Sequence, residues 1–160
     1  MAVDREYTAA EVASRLAIEQ VIARYVHAID DRDYDTLDDV FTPDAKFDLS
    51  AAGGISGSWA ADIKPWYAEN LGVFENYFHT FMNIRVTLDE DGAGASTKSK
   101  VINPCGIRGE DGELHHFEIV GSYDDRWRKT TDGWRISERT WNHGWIWGDY
   151  PQAGLPAGDF

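Results

Sequence analysis

Three short runs of this 160-residue chain hold side chains able to carry or pass a proton. In Ala28-Ile29-Asp30-Asp31-Arg32-Asp33 a carboxylate stands where a helical pattern runs out. An acid at a helix C-terminus opposes the helix dipole and requires a cation or an imidazole beside it. In His79-Thr80-Phe81-Met82-Asn83-Ile84-Arg85-Val86 the residues alternate, which places His79 on one face with Phe81, Asn83 and Arg85 and leaves the other face apolar. Imidazole titrates near neutral pH, so His79 reads either as an oriented base or as a hydrogen-bonded histidine at a strand end. In the run from Trp134 to Trp147, alternation gathers Arg139, Trp141 and His143 on one face. Arg139 has two readings, a pocket cation or half of a buried ion pair with Asp30 or Glu118. The series Trp141, Trp145 and Trp147 reads as core and interface, with Trp141 also available to a pocket.

Other common chemistries lack their residues. No Gly-rich loop joins a strand to a helix, and no Ser occupies a nucleophile elbow. His115 and His116 are adjacent on a strand and point to opposite faces, and His116 with Glu118 makes only two ligands, so no metal is expected. A net charge of −13 argues against nucleic acid and against anionic membranes. The single cysteine, Cys105, leaves no internal disulfide and suits a cytoplasmic setting. The start MAVDREYTAAE has no basic patch followed by an apolar run, so no signal peptide is expected, and no apolar stretch is long enough to span a bilayer.

The elements that must position these groups can be read in order. Thr8-Ala9-Ala10-Glu11 has the form of a capping box. Val12, Leu16, Val21, Ile22, Tyr25, Val26 and Ile29 follow at helical spacing, and the helix should end between Asp30 and Arg32. A second short helix is expected with Tyr34, Leu37, Val40 and Phe41 inward, stopped by Thr42-Pro43-Asp44. A strand over Ala45 to Ser50 follows, then a glycine-rich bend, then a helix from Trp59 to Leu71 with Pro65 in its first turn. Strands are expected over Phe78 to Leu88, Ala95 to Cys105, His115 to Lys129 and Trp134 to Trp147. Helices first and an antiparallel meander after predict α+β, one domain over residues 1–160 with its core at about 6–147 and a tail from 148. Seven Trp, seven Tyr and seven Phe exceed what an ordinary core of this size needs, and imply a ligand or a subunit interface.

The run Arg24 to Asp33, the run His79 to Val86 and Trp134-Arg135-Ile136-Ser137-Glu138-Arg139 resemble the SnoaL-like branch of the nuclear transport factor 2-like superfamily, and the likeness extends from about Glu6 to Trp147. The resemblance implies a cone-shaped α+β barrel, its curved sheet wrapped around a long N-terminal helix. It implies a cofactor-independent lyase, a dehydratase or dehydrohalogenase acting on a small hydrophobic, cyclic substrate. An isomerase, a polyketide cyclase and a non-catalytic ligand-binding module are the alternatives. By position, His79 matches the family's base and Asp30 the carboxylate that orients it. Tyr25 falls at a catalytic tyrosine or lysine, and Arg139 at a pocket arginine. Val26, Phe47, Asn103, Ile119, Tyr123, Trp141 and His143 are the expected substrate-binding residues. Self-association is implied as well, as a homo-trimer or a dimer. Two features depart from the pattern. Phe47 and Leu49 stand where dehydratases place a tyrosine, and Asn103 is the nearest polar group to a missing second histidine. Tyr25 and Asp30 also lie about 140° apart around an ideal helix, so they share a pocket only if the helix end unwinds.

Overall fold

A computed structural model of the protein describes residues 6–150; the expected tail beyond Tyr150 lies outside the described residues. Helix α1 spans Ala9–Asp30. Its start is the expected capping box: the Thr8 hydroxyl accepts the Glu11 N–H, and the Glu11 carboxylate accepts the Thr8 N–H at 2.8 Å. Its second half packs inward through Ile18, Val21, Ile22, Tyr25, Ala28 and Ile29. Val12 and Leu16, expected on that face, are 43% and 56% exposed, because nothing in α1 before Ile18 is buried.

The expected second helix is only a 3₁₀ turn, Thr36–Asp39, and the chain enters strand β1, Phe41–Asp48, immediately after it. Pro43 does not stop a helix. It lies in residues 42–45, which have no ladder partner on either side, so its missing N–H is not needed. Leu49 falls beyond the strand but remains buried. Strand β2, Ser56–Ser58, folds back on β1, and a π turn at Trp59–Ile63 leads into helix α2, Lys64–Asn70, with Pro65 in its first turn.

The expected strand from Phe78 to Leu88 starts two residues later, as β4 (Thr80–Leu88), and a strand not expected, β3 (Phe74–Tyr77), precedes it across Phe78 and His79. Both pair with β5 (Gly94–Arg108), which pairs with β6 (Leu114–Thr130), and β6 with β7 (Gly133–Gly148). Strict alternation also fails inside β4. Phe81 and then Ile84, Val86 and Leu88 all pack on the core. Asn83 at φ 51° and a register shift between Met82 and Arg85 form a bulge that changes the inward phase.

The sheet order is β2-β1-β7-β6-β5-β3, with β4 also on β5; β1 runs parallel to β7 and every other pairing is antiparallel. Curled over α1, this α+β half-barrel is the expected cone. Of the tryptophan series, Trp141 is buried, while Trp145 and Trp147 are 59% and 72% exposed and are not core. The strand shifts register between Val120 and Gly121, which inserts Gly144 into β7 and ends the inward alternation that carried Arg139 and Trp141.

Candidate active site

The site begins with how α1 ends. Arg32 adopts φ 57°, Asp33 N–H donates to Ala28 O at 2.8 Å and Arg32 N–H to Ile29 O at 3.2 Å. This is a Schellman closure with arginine in the left-handed position usually given to glycine. The Arg32 guanidinium donates to Phe74 O at 2.6 Å and lies 5.1 Å from the Tyr77 ring centroid. The Tyr77 hydroxyl donates to Ile29 O. The helix end is thereby tied to β3, and Asp30 is its last residue.

His79 occupies the break between β3 and β4. Phe78 N–H still reaches Pro104 O on β5, but the His79 N–H turns to Asp30 and lies 3.1 Å from both carboxylate oxygens. The His79 Nδ1 lies 2.7 Å from Asp30 Oδ1. One carboxylate therefore holds both the backbone and the ring of the same residue, and the two donors answer its position at the negative end of the helix dipole. With Nδ1 as the proton donor to Asp30, Nε2 carries the ring's free lone pair. The ring sits edge-on to Tyr25 and Tyr77, at centroid distances of 6.1 and 5.4 Å.

His79 lines a cavity of about 130 Å³. Its walls are mostly aromatic and aliphatic: Tyr25 and Ile29 from α1, Trp66 and Tyr67 from α2, Phe74 and Tyr77 from β3, Ile119 and Tyr123 from β6, Trp141 from β7. The Tyr25 phenol lies beside those of Tyr67 and Tyr123 and interacts electrostatically with both. Burial pushes the Tyr67 and Tyr123 phenols well above the ordinary tyrosine range, so both remain protonated donors. Burial, followed by the charge of Asp30, raises the Cys105 thiol to about 12; it is neutral and 3.3 Å from the Asn103 carbonyl.

Arg139 lies behind this wall. It forks onto Asp125 with Nε and Nη2 at 2.8 and 2.9 Å, and neither side chain has any exposed surface. Burial works against the guanidinium charge, but Asp125 outweighs it and the net shift is upward. The guanidinium carbon lies 4.2 Å from the Tyr25 ring centroid and 4.3 Å from that of Tyr123. The ion-pair partner is neither Asp30 nor Glu118 but the residue directly across the β6–β7 ladder.

Of the residues singled out from the sequence, Tyr25, His79, Asn103, Ile119, Tyr123 and Trp141 line the cavity. Asp30 touches it only through His79, which resolves the angular separation from Tyr25: the imidazole bridges the two without any unwinding of the helix. Arg139, Val26, Phe47 and His143 are not among the lining residues. Phe47 packs in the core, stacked 5.9 Å from Trp59 and edge-on to Phe41. His143 lies beside the Gly144 insertion, beyond the last wall residue of β7. Sequence reasoning missed Trp66 and Tyr67 on α2 and Leu71 just after it, whose shared destination follows only from how α2 closes over the sheet, and Tyr77 on β3. Among the described residues, no three His, Cys, Asp or Glu side chains cluster to hold a metal ion. No helix there is long and apolar enough to cross a membrane.

Residues 10–140 match the family model of the SnoaL-like domain. The uncharacterized protein Rv2910c of Mycobacterium tuberculosis is 41% identical over 130 residues, which are 81% of this chain and 85% of that protein. A solved structure from Novosphingobium aromaticivorans, provisionally named an aromatic ring hydroxylase, superposes with a TM-score of 0.74 at 32% identity, over 86% of this chain and 94% of its own. The hexachlorocyclohexane dehydrochlorinase LinA-type3 of Novosphingobium barchaimii superposes with a TM-score of 0.74 at 16% identity, over 91% of this chain and 94% of its own. At 16% the likeness is one of fold.

Proposed function

Given that this chain belongs to the SnoaL-like domain family, we propose that it is a cofactor-independent lyase that removes water or a hydrogen halide from a small, hydrophobic, cyclic substrate. The observation that carries the reading is the 2.7 Å contact between His79 Nδ1 and Asp30 in the wall of an aromatic cavity. Asp30 would hold the tautomer whose Nε2 is free and stabilise the imidazolium once it forms. Nε2 takes a proton from carbon, and the C–H electron pair becomes the new double bond. The leaving group departs from the adjacent carbon with its own bonding pair. A hydroxyl leaves as water after receiving the proton back from the imidazolium; a halide leaves as the anion and the proton passes to solvent. Tyr25, which lines the cavity beside two other phenols, would donate to a carbonyl or a departing group.

The names of the two solved neighbours support a ring as substrate, since one refers to an aromatic ring and the other to hexachlorocyclohexane. A second reading, an isomerase moving a double bond next to a ketone, draws on the same base and on the tyrosine cluster, which would stabilise an enolate. The test is elimination from hydroxylated and chlorinated cyclohexane derivatives. His79→Ala should lower kcat by about 10²–10⁴-fold. Asp30→Asn, which still offers an acceptor to the His79 backbone, should lower it by a similar factor with the fold kept. Full activity in His79→Ala would end the proposal, and proton exchange next to a ketone without elimination would favour the isomerase.

A further inference from the structure

We infer that Arg32 and Tyr77 are positioning residues: they lock the end of α1 onto β3 and so hold the Asp30 carboxylate on His79 Nδ1. The inference rests on the reading of His79 as the base and adds the device that keeps it oriented. Its starting point is a residue in a strained place. Arg32 adopts φ 57°, in the left-handed region that glycine enters freely and a residue with a Cβ avoids. Closing α1 needs only the backbone there, since the N–H groups of Arg32 and Asp33 make the capping bonds. Glycine would cap this helix with less strain, so the reason for an arginine lies in its side chain.

That side chain is tied to both ends of β3. The guanidinium donates to the carbonyl of Phe74, the first residue of the strand, at 2.6 Å, and lies 5.1 Å from the ring centroid of Tyr77, the last. Tyr77 completes the tie, its hydroxyl donating to Ile29 O. Burial raises this phenol above the ordinary tyrosine range, so it stays a donor. β3 stands at the edge of the sheet, paired with β5, and these contacts join that edge to the helix.

The ties bracket the pair. Ile29 immediately precedes Asp30, and Tyr77 stands two residues before His79. The Tyr77 ring also meets the imidazole edge-on, at 5.4 Å between centroids. Fixing Ile29 to Tyr77 therefore fixes the distance across which Asp30 reaches His79. The Tyr77 hydroxyl has an electrostatic effect as well. It donates to one of the last carbonyls of α1, where the helix dipole opposes the Asp30 charge, and offsets part of that repulsion. The lock matters because the pair is not sealed. The Asp30 and His79 side chains are 16% and 12% exposed, so water competes for the carboxylate as soon as the helix end retreats. A carboxylate that turns to water releases Nδ1, and the neutral ring is then free to carry its proton on Nε2. In that tautomer Nε2 has no lone pair to take a proton from carbon. Loosening the lock disarms the base with both of its members still present.

The test reads the tautomer directly and needs no substrate. Long-range proton–nitrogen NMR spectra of the neutral imidazole distinguish the two ring nitrogens, and the His79 signals are identified by their loss in His79→Gln. Wild-type His79 should carry its proton on Nδ1, with that proton shifted far downfield by Asp30. Tyr77→Phe keeps the ring and loses the hydroxyl; Arg32→Gly keeps the helix cap and loses the guanidinium. Each should lower the ratio of the Nδ1–H to the Nε2–H tautomer about tenfold, the scale of one charge-assisted hydrogen bond. Val86→Ala, a core truncation on β4 beside Arg15 in the first half of α1, should lower the urea midpoint and leave the ratio as it is. A wild-type ratio in Tyr77→Phe or in Arg32→Gly would overturn the inference. So would an equal fall in Val86→Ala, which would make the tautomer a gauge of general stability. If one of the two variants fails to fold, the other decides, and a wild-type proton on Nε2 would overturn the lock without either. An unchanged ratio with His79→Ala inactive would sink this inference alone; a lowered ratio with full elimination activity in His79→Ala would sink only the catalytic reading.

Discussion

Arg139 holds its guanidinium 4.2 Å from the centre of the Tyr25 ring while two of its nitrogens are committed to Asp125. A cation in this position is set to act on the phenols in front of it rather than on a bound molecule. It also ties stability to the site, because breaking a buried pair leaves the partner's charge unmatched. Arg139→Met should therefore cost about 3–5 kcal/mol. The double variant with Asp125→Leu should recover most of that loss, since an apolar pair leaves no charge buried. Urea unfolding of the two proteins decides it: equal losses in both would show that packing of the long arginine side chain, not charge, dominates.

In the proposed elimination Tyr25 is the cavity phenol that would serve a developing negative charge. Its ring is edge-on to His79, and its phenol interacts with those of Tyr67 and Tyr123. Tyr25→Phe should lower kcat by about 10²–10³-fold, the usual loss of one such donor. Tyr67→Phe, which removes only a neighbouring phenol, should have a smaller effect. Steady-state kinetics on the two variants make the comparison, and an unchanged kcat in Tyr25→Phe would remove this phenol from the mechanism.

The parts of this fold written in local spacing were legible. The Thr8–Glu11 capping box, the end of α1 at Asp30, and the hairpin turns at Asp111-Gly112 and Asp132-Gly133 all follow from short-range chemistry. What escaped depends on partners distant in sequence. The alternation from Phe78 to Leu88 hides the break at His79, which exists because Asp30, 49 residues away, takes the backbone N–H. The Arg139 partner needed the β6–β7 register. Phe41 reads as a helix residue until β7, in parallel, draws it into a strand. Candidate site residues on β5 and β6 could be named because alternation fixes their faces, and those on α1 because the run Arg24 to Asp33 resembles the family. The contribution of α2 could not, since nothing local says where that helix lies.

His115 provides a prediction for pH. Its Nδ1 lies 2.7 Å from Asp149 and its Nε2 3.3 Å from Asp111, which ties the end of β7 to the turn before β6. The hydrogen bond to Asp149, then that to Asp111, raises its pKa above the ordinary value of 6.5. A raised folded-state pKa means that the tether is complete below about 6.5 and is lost as pH rises through the shifted value. Amide exchange at Asp149, whose N–H donates to His116 O, should speed up above that pH after correction for the intrinsic rate. The change should be absent in His115→Gln. Identical pH profiles in the two proteins would show that the imidazole does not hold this end.

Asn83 is where β4 changes phase, and its backbone requires φ 51°. Asparagine tolerates this left-handed region, glycine enters it freely, and a β-branched residue does not. Asn83→Gly should leave stability within about 0.5 kcal/mol, the range of a substitution that creates no strain. Asn83→Val should cost about 1–3 kcal/mol. The consequence reaches the site, because the bulge lets Phe81 stack on Tyr123 at 5.5 Å and meet Tyr25 at 5.6 Å while Ile84, Val86 and Leu88 still pack inward. In Asn83→Val the strand must either hold the strain or slip back into strict alternation. Slippage would move Phe81 off the tyrosine pair and lower the near-ultraviolet circular dichroism along with the urea midpoint. A valine variant with the wild-type midpoint and spectrum would show that β4 makes this turn without any need for a residue at ease in the left-handed region.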